Sequence, residues 1–141
     1  MAYPAVMDES LVGTFDALQH AGGGYVWDEV LEYRVWMHPE DGAPDEADGD
    51  DYYYAFAAYS DALDCYLNSD GSEKPLALIL QREYLDERQP GVFRHVKTER
   101  MTEWPVEFLS RPRRTERTIP DFLAPDAPAN RLEILRGEVA D

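Results

Sequence analysis

The chain has 141 residues and a mass of 16.1 kDa, with 29 acidic against 13 basic side chains and a formal charge of −16. That length fits one domain able to bury a core without disulfide or metal staples, and 44% hydrophobic with 30% charged residues is the balance of a folded chain. Such acidity argues against nucleic acid as a partner, because gripping phosphates needs a basic face, and no run approaches the roughly 20 apolar residues of a membrane span.

Residues 10–21 read as a short helix capped by Ser10, with Leu11, Phe15 and Leu18 on one face and Gly22 at its end. From Tyr25 to Met37 the pattern is that of a strand. Leu31, Tyr33, Val35 and Met37 alternate with Glu32, Arg34, Trp36 and His38, and the length calls for a bend or bulge near Asp28-Glu29. Residues 39–51 carry two prolines, two glycines and seven acids and read as a solvated loop. Residues 52–59 form the next strand, and Ser60 caps a helix to about Ser69 whose buried stripe is Leu63, Tyr66 and Leu67.

Residues 75–87 and 92–104 form a hairpin, since Gln89-Pro90-Gly91-Val92 has Pro and Gly where a type II turn wants them. If the turn sets the register, opposed residue numbers sum to 181. That pairs Glu87 with Arg94, Asp86 with His95, Leu85 with Val96, Arg82 with Glu99 and Leu80 with Met101, matching charge to opposite charge and apolar to apolar. Leu76 to Leu80 is apolar on both faces, which places that half of the strand centrally in its sheet. Five of the ten prolines lie between Pro105 and Pro128. This tail reads as a short helix at 105–110, an extended arm over RPRRTERTIPDFLAP, and a last helix near 127–136 with Leu132, Ile134 and Leu135, ending at Gly137. The expected fold is α+β: a four-stranded, mostly antiparallel sheet in the order α-β-β-α-β-β with helices on one face. Residues 1–104 would form the domain and 105–141 a Pro-rich arm that packs on it or on a partner.

Charge is polarised along the chain. Residues 1–75 hold 17 acids and two bases, Arg34 and Lys74, whereas residues 76–141 hold 12 acids and 11 bases. Arg111, Arg113, Arg114 and Arg117 of the arm have three readings: pairing with the protein's own acidic half or a symmetric partner, plain solvation, or a phosphorylated ligand. The first is the expectation. Ile119, Phe122 and Leu123 would be exposed together unless the arm lies on something. With Trp36 and Trp104 these residues are the interaction candidates, since aromatics and Arg anchor interfaces.

Catalytic patterns are weaker. The loop 39–51 fails the EF-hand spacing in both alignments of its glycines and reads as a mobile acidic loop rather than a divalent-ion site. His20, His38 and His95 show no metal-ligand spacing, and His95 opposite Asp86 reads as a surface pair rather than an oriented general base. No metal or cofactor is expected. Cys65, the single cysteine, reads as a small buried hydrophobe, and its solitude suits a reducing cytoplasm. Met1 to Glu9 lacks the basic and apolar runs of a signal peptide. A cytoplasmic protein is the expectation.

The segments GGGYVWDEVLEYRVW, DDYYYAFAAYSDAL, PLALILQREYLDE, HVKTERMTEWPVEFLSRPRRT and TIPDFLAPDAPANRLEILRG together resemble a family of small bacterial proteins labelled GCN5-related (GNAT) acetyltransferase, over about residues 22–137. The resemblance implies an acetyl-CoA enzyme with a Q/R-x-x-G-x-G/A turn cradling pyrophosphate at a helix start. Gln19 to Gly24 matches literally but follows a predicted helix and precedes a strand, and Arg88 to Phe93 sits in the hairpin turn. No catalytic residue carries over. The residues therefore favour a non-catalytic acidic interaction module or accessory subunit with a protein partner or as a homodimer. A CoA-dependent N-acyltransferase is the alternative that the resemblance implies, and an acidic nucleic-acid mimic is a third reading.

Overall fold

A computed structural model describes residues 3–17 and 25–136. The four-stranded sheet has the order β2-β1-β3-β6, with every neighbouring pair antiparallel. Its strands are β1 (Glu29–Met37), β2 (Tyr52–Phe56), β3 (Leu76–Gln81) and β6 (Arg100–Pro105), and β4 (Tyr84–Gln89) and β5 (Val92–Val96) form a separate two-stranded hairpin. The helices are α1 (Tyr59–Leu67), α2 (Thr118–Phe122) and α3 (Arg131–Leu135), and a 3-10 turn spans Val106–Ser110. The protein is thus α+β, as expected. Because β2 and β3 both run antiparallel to β1, they are parallel to each other, and α1 crosses over the strand between them.

The predicted hairpin splits in two. From β3 to β6 the opposed numbers do sum to 181, from Leu76 with Pro105 to Gln81 with Arg100, and Leu80 faces Met101. In β4–β5 they sum to 180, so Tyr84 meets Val96, Leu85 meets His95 and Asp86 meets Arg94. An irregularity between Glu87 and Gln89 causes the slip: the turn starts in the 181 register at Gln89–Val92 and one extra residue moves the pairs from Glu87–Phe93 to Tyr84–Val96 by one. Gly91 adopts φ +81°, as the third position of the turn requires. β3 is central and buried on both faces, as its continuous apolar run demanded.

Other expectations need correction. The helix expected over 10–21 is only a 3-10 turn at Glu9–Leu11, capped by Asp8 rather than Ser10, and the rest of that expectation falls partly on residues 18–24, outside the described set. Asp8 competes for the backbone by accepting from both Ser10 N and Ser10 Oγ. α1 begins at Tyr59, one residue before its expected cap, so Ser60 lies inside the first turn and makes no cap. Its packed side is Tyr59, Ala62, Cys65 and Tyr66, leaving Leu67 66% exposed. The β1 bulge falls at Leu31, between Val30 and Glu32. It keeps Val30 and Tyr33, three residues apart, in the same core as Val35 and Met37. The arm is helical from Thr118 to Phe122 rather than extended throughout.

The main core joins these β1 residues to Ala77, Ile79, Trp104 and the 3-10 turn residues Val106, Phe108 and Leu109 under α1. A second core holds Val26, Leu85, Ile119 and Phe122 between the β4–β5 hairpin and the arm. The N-terminal residues 3–17 form a strap anchored by Met7 N donating to the Val30 carbonyl at 2.8 Å. Gly71 sits where a Cβ would fall on the Ala43 amide and within 2.8 Å of the His38 carbonyl, at φ +73°. Gly91→Ala meets open space and pays only the left-handed backbone cost of about 1–2 kcal/mol. Gly71→Ala adds a backbone clash to that cost, so urea unfolding should show it losing clearly more stability than Gly91→Ala.

Candidate functional site

Arg111, Arg113, Arg114, Ile119 and Phe122 of the arm converge on the protein's own domain, whereas Arg117 and Leu123 do not. The Arg114 guanidinium is 14% exposed and bridges Asp28, at 3.0 Å, and Glu83, at 3.1 Å. Its amide donates to the Trp27 carbonyl at 2.9 Å. Arg113 donates to Glu29 and to the Asp28 carbonyl, with its guanidinium 5.0 Å from the Trp27 ring centre. The Arg111 carbonyl accepts from the Trp27 indole at 2.8 Å. Arg117 stays exposed and pairs with Asp121 one helical turn on. Ile119 and Phe122 are buried in the second core, whereas Leu123 is 37% exposed. Trp104 is fully buried in the main core, with its indole donating to Thr102 Oγ1. A cleft of about 240 Å³ lies along this seam, lined by Trp27, Arg111, Arg113, Arg114 and Thr118 among others.

His95 does not face Asp86. Its Nε2 lies 2.6 Å from Glu83 Oε1, and the other oxygen of Glu83 accepts from Arg114, so hairpin, arm and Asp28 are joined by one chain of hydrogen bonds. The one-residue register slip is what turns His95 to the arm side, onto Leu85.

A second cluster was not anticipated. Glu32 and Arg34 lie on the polar side of the β1 alternation, yet both side chains are 0% exposed. Arg34 donates from Nε to Glu32 Oε2 at 2.6 Å and from Nη1 to Glu103 Oε2 at 2.8 Å. Its guanidinium stacks 4.3 Å from the Tyr53 ring centre. Trp36, half-buried beside Tyr53, donates its indole N–H to Glu103 Oε2 at 2.9 Å. Burial pulls the Arg34 pKa down, but the hydrogen bonds to Glu103 and Glu32 outweigh it and leave the pKa raised. The strap closes the cluster: Gly13 N donates to Glu32 Oε1 at 2.8 Å, and Asp16 O accepts from Arg34 Nη2 at 2.6 Å. The sequence signal was Glu32-x-Arg34-x-Trp36, opposite charges beside a large aromatic on one strand face.

Just past the C-terminal end of β1, His38 sits between two carboxylates, with Nδ1 2.9 Å from Asp51 and Nε2 2.6 Å from Glu73. This pins the acidic loop against the turn before β3. Glu46 in the same loop accepts from both Tyr52 and Tyr54 hydroxyls, and the hydrogen bond to Glu46 pushes the Tyr54 pKa up to about 12. Among the described residues, no group of three or more His, Cys, Asp or Glu side chains is placed to hold a metal ion, and no helix is long and apolar enough to cross a membrane. Arg88 to Phe93 is a strand-to-strand turn without a helix start, and Gln19 to Gly24 lies outside the described residues. The chain matches no protein-family model, no curated protein and no solved structure.

If the arm belongs to the folded unit, Phe122→Ala should cost about 3–5 kcal/mol in denaturant unfolding, whereas Leu123→Ala, at the exposed end of the same helix, should stay within about 1 kcal/mol. Equal, small effects would detach the arm from the core. The His38 pKa is raised chiefly by its hydrogen bond to Asp51, against burial and with help from Glu73. A raised folded-state pKa gives stability that is full below the unfolded value near 6.5 and is lost as pH rises through the folded value. The stability advantage of the wild type over His38→Gln should therefore be largest near pH 6 and shrink by pH 9, as read from urea midpoints at both.

Proposed function

We propose that the protein is a non-catalytic interaction module whose acidic end engages a basic protein partner. The supporting observation is where the charges come to rest. Arg113 and Arg114 pair with Asp28, Glu29 and Glu83, neutralising the arm-side carboxylates in cis. From Glu40 to Glu73 the chain presents eleven exposed carboxylates, and the nearest base in sequence is Lys74. The acidic loop and the turn before β3 are held together by the His38 clamp and by the close approach of Gly71 to Ala43. Tyr54 and Leu67 are exposed in the same stretch and offer apolar contact beside the charge. A field of one sign over one end of a small protein steers an oppositely charged partner and sets its orientation.

The test is calorimetric titration with a soluble Lys/Arg-rich peptide at two salt concentrations. The reading expects binding that weakens steeply with salt. It should drop on joint neutralisation of Glu46, Asp48 and Asp50 to their amides and persist on joint neutralisation of Glu116, Asp121 and Asp126 in the arm. Equal losses from both sets, or no binding, overturns it. A rise of several degrees in the unfolding midpoint with saturating acetyl-CoA would instead favour an acyltransferase.

A further inference from the structure

We propose that the basic partner inferred above, on which this rests, binds as an extended Arg- or Lys-bearing segment that adds a fifth strand along the outer edge of β2. β2 is one of the two edges of the sheet, it pairs with β1 on one side only, and none of its five residues is buried. A strand turns the N–H and C=O groups of alternate residues to opposite sides, so those of every second residue of β2 point away from β1. Among the described residues, no backbone hydrogen bond beyond the ladder with β1 reaches Tyr52–Phe56. A row of unpaired groups like this is a template for another strand, and folded chains ordinarily guard it with Pro, a cation, a bulge or cover. The other edge, β6, has such guards: it carries Arg100 and Pro105, and its Thr102, Glu103 and Trp104 are buried. β2 reads Tyr-Tyr-Tyr-Ala-Phe, with no charge or proline and no shift in its register with β1.

Charge selects the occupant. Asp50 and Asp51 precede the strand, Asp61 and Asp64 follow it in α1, and Glu46 accepts from the Tyr52 and Tyr54 hydroxyls. A second copy would bring the same carboxylates to the same edge, together with its own charge of −16, so self-pairing is opposed. A basic segment meets opposite charge at both ends of the strand. Its side chains also have a partner along the strand. From the inner side, Arg34 of β1 already stacks its guanidinium 4.3 Å from the Tyr53 ring centre. From the outer side, Tyr54 offers a ring that is still 39% exposed, with the Glu46 carboxylate 3.0 Å from its hydroxyl. An Arg or Lys on an added strand opposite Tyr54 gains both the aromatic and the ionic contact. The backbone ladder supplies affinity and these alternate side chains supply the preference for a basic segment.

The experiment uses the full chain and a short fluorescently labelled peptide of alternating Arg and Thr, followed by anisotropy. A second peptide has the same side chains but a methyl group on every backbone nitrogen, so it keeps the charge and cannot donate to the edge. It should bind about tenfold more weakly than the first. Residue-resolved hydrogen exchange then gives the position. Amides of alternate residues within Tyr52–Phe56 should exchange fast in the free protein and slow when the unmethylated peptide is added, with the β6 amides unchanged. Equal affinity of the two peptides, or protection confined to residues 39–51, overturns the added strand and leaves the charge reading standing. Failure of the unmethylated peptide to bind overturns both. Protection of the β2 amides without peptide, growing with protein concentration, overturns the basic segment in favour of a second copy.

Discussion

The arrangement depends on one guanidinium. Arg34 sits on β1, an inner strand of the sheet, and its side chain holds Glu32 on the same strand, Glu103 on β6 and the strap carbonyl of Asp16. Leu78 of β3 lies in register between Glu32 and Glu103 and is fully buried, so the charges meet across an apolar rung. Burying two carboxylates and one cation costs several kcal/mol per ion before any pairing, so only dense hydrogen bonding makes it tolerable. That density is supplied by side chains of β1 and β6 and by backbone from the strap, with the Tyr53 ring of β2 stacked on the guanidinium. The strap's Gly13–Asp16 stretch therefore covers the charged face of the sheet because the cluster needs its N–H and C=O groups, while α1, the 3-10 turn and the strap's Tyr3 and Val6 pack on the main core for the ordinary reason of apolar area.

The second organising feature is the seam between arm and domain. The polarisation seen along the chain is partly resolved in cis, where Arg113 and Arg114 reach Asp28, Glu29 and Glu83. Beneath these pairs Ile119 and Phe122 bury against Val26 and Leu85, so apolar contact supplies attachment and charge supplies position. The carboxylates of the loop and of α1 are left without arginines of the arm, which gives the molecule an acidic end. The fold thus neutralises the carboxylates at the arm seam and leaves those of the loop and α1 in excess.

Legibility followed the range of the interactions. The centrality of β3, the Pro-Gly turn and the pairing of Leu80 with Met101 were readable because local chemistry decides them. The slip in β4–β5 was not, since a single irregularity near Arg88 shifts the pairs from Glu87 to Tyr84 by one residue without altering any residue's propensity. Nor was the burial of Glu32 and Arg34. An alternating charged face is the signature of a solvated strand side, and only Glu103 on a remote strand and a strap ending twelve residues before β1 convert it into an interior. The arm's destination was readable as a need, because Ile119 and Phe122 had to be covered, but not as an address.

The most direct measurement on this account is the unfolding free energy of Arg34→Met together with hydrogen exchange at the Gly13 amide. Removing the cation leaves Glu32 and Glu103 buried without it, so stability should fall by about 3–5 kcal/mol, and the Gly13 amide should exchange far faster as the strap loses its hold. A variant as stable as the wild type, with Gly13 still protected, would show that the sheet and strap do not depend on Arg34.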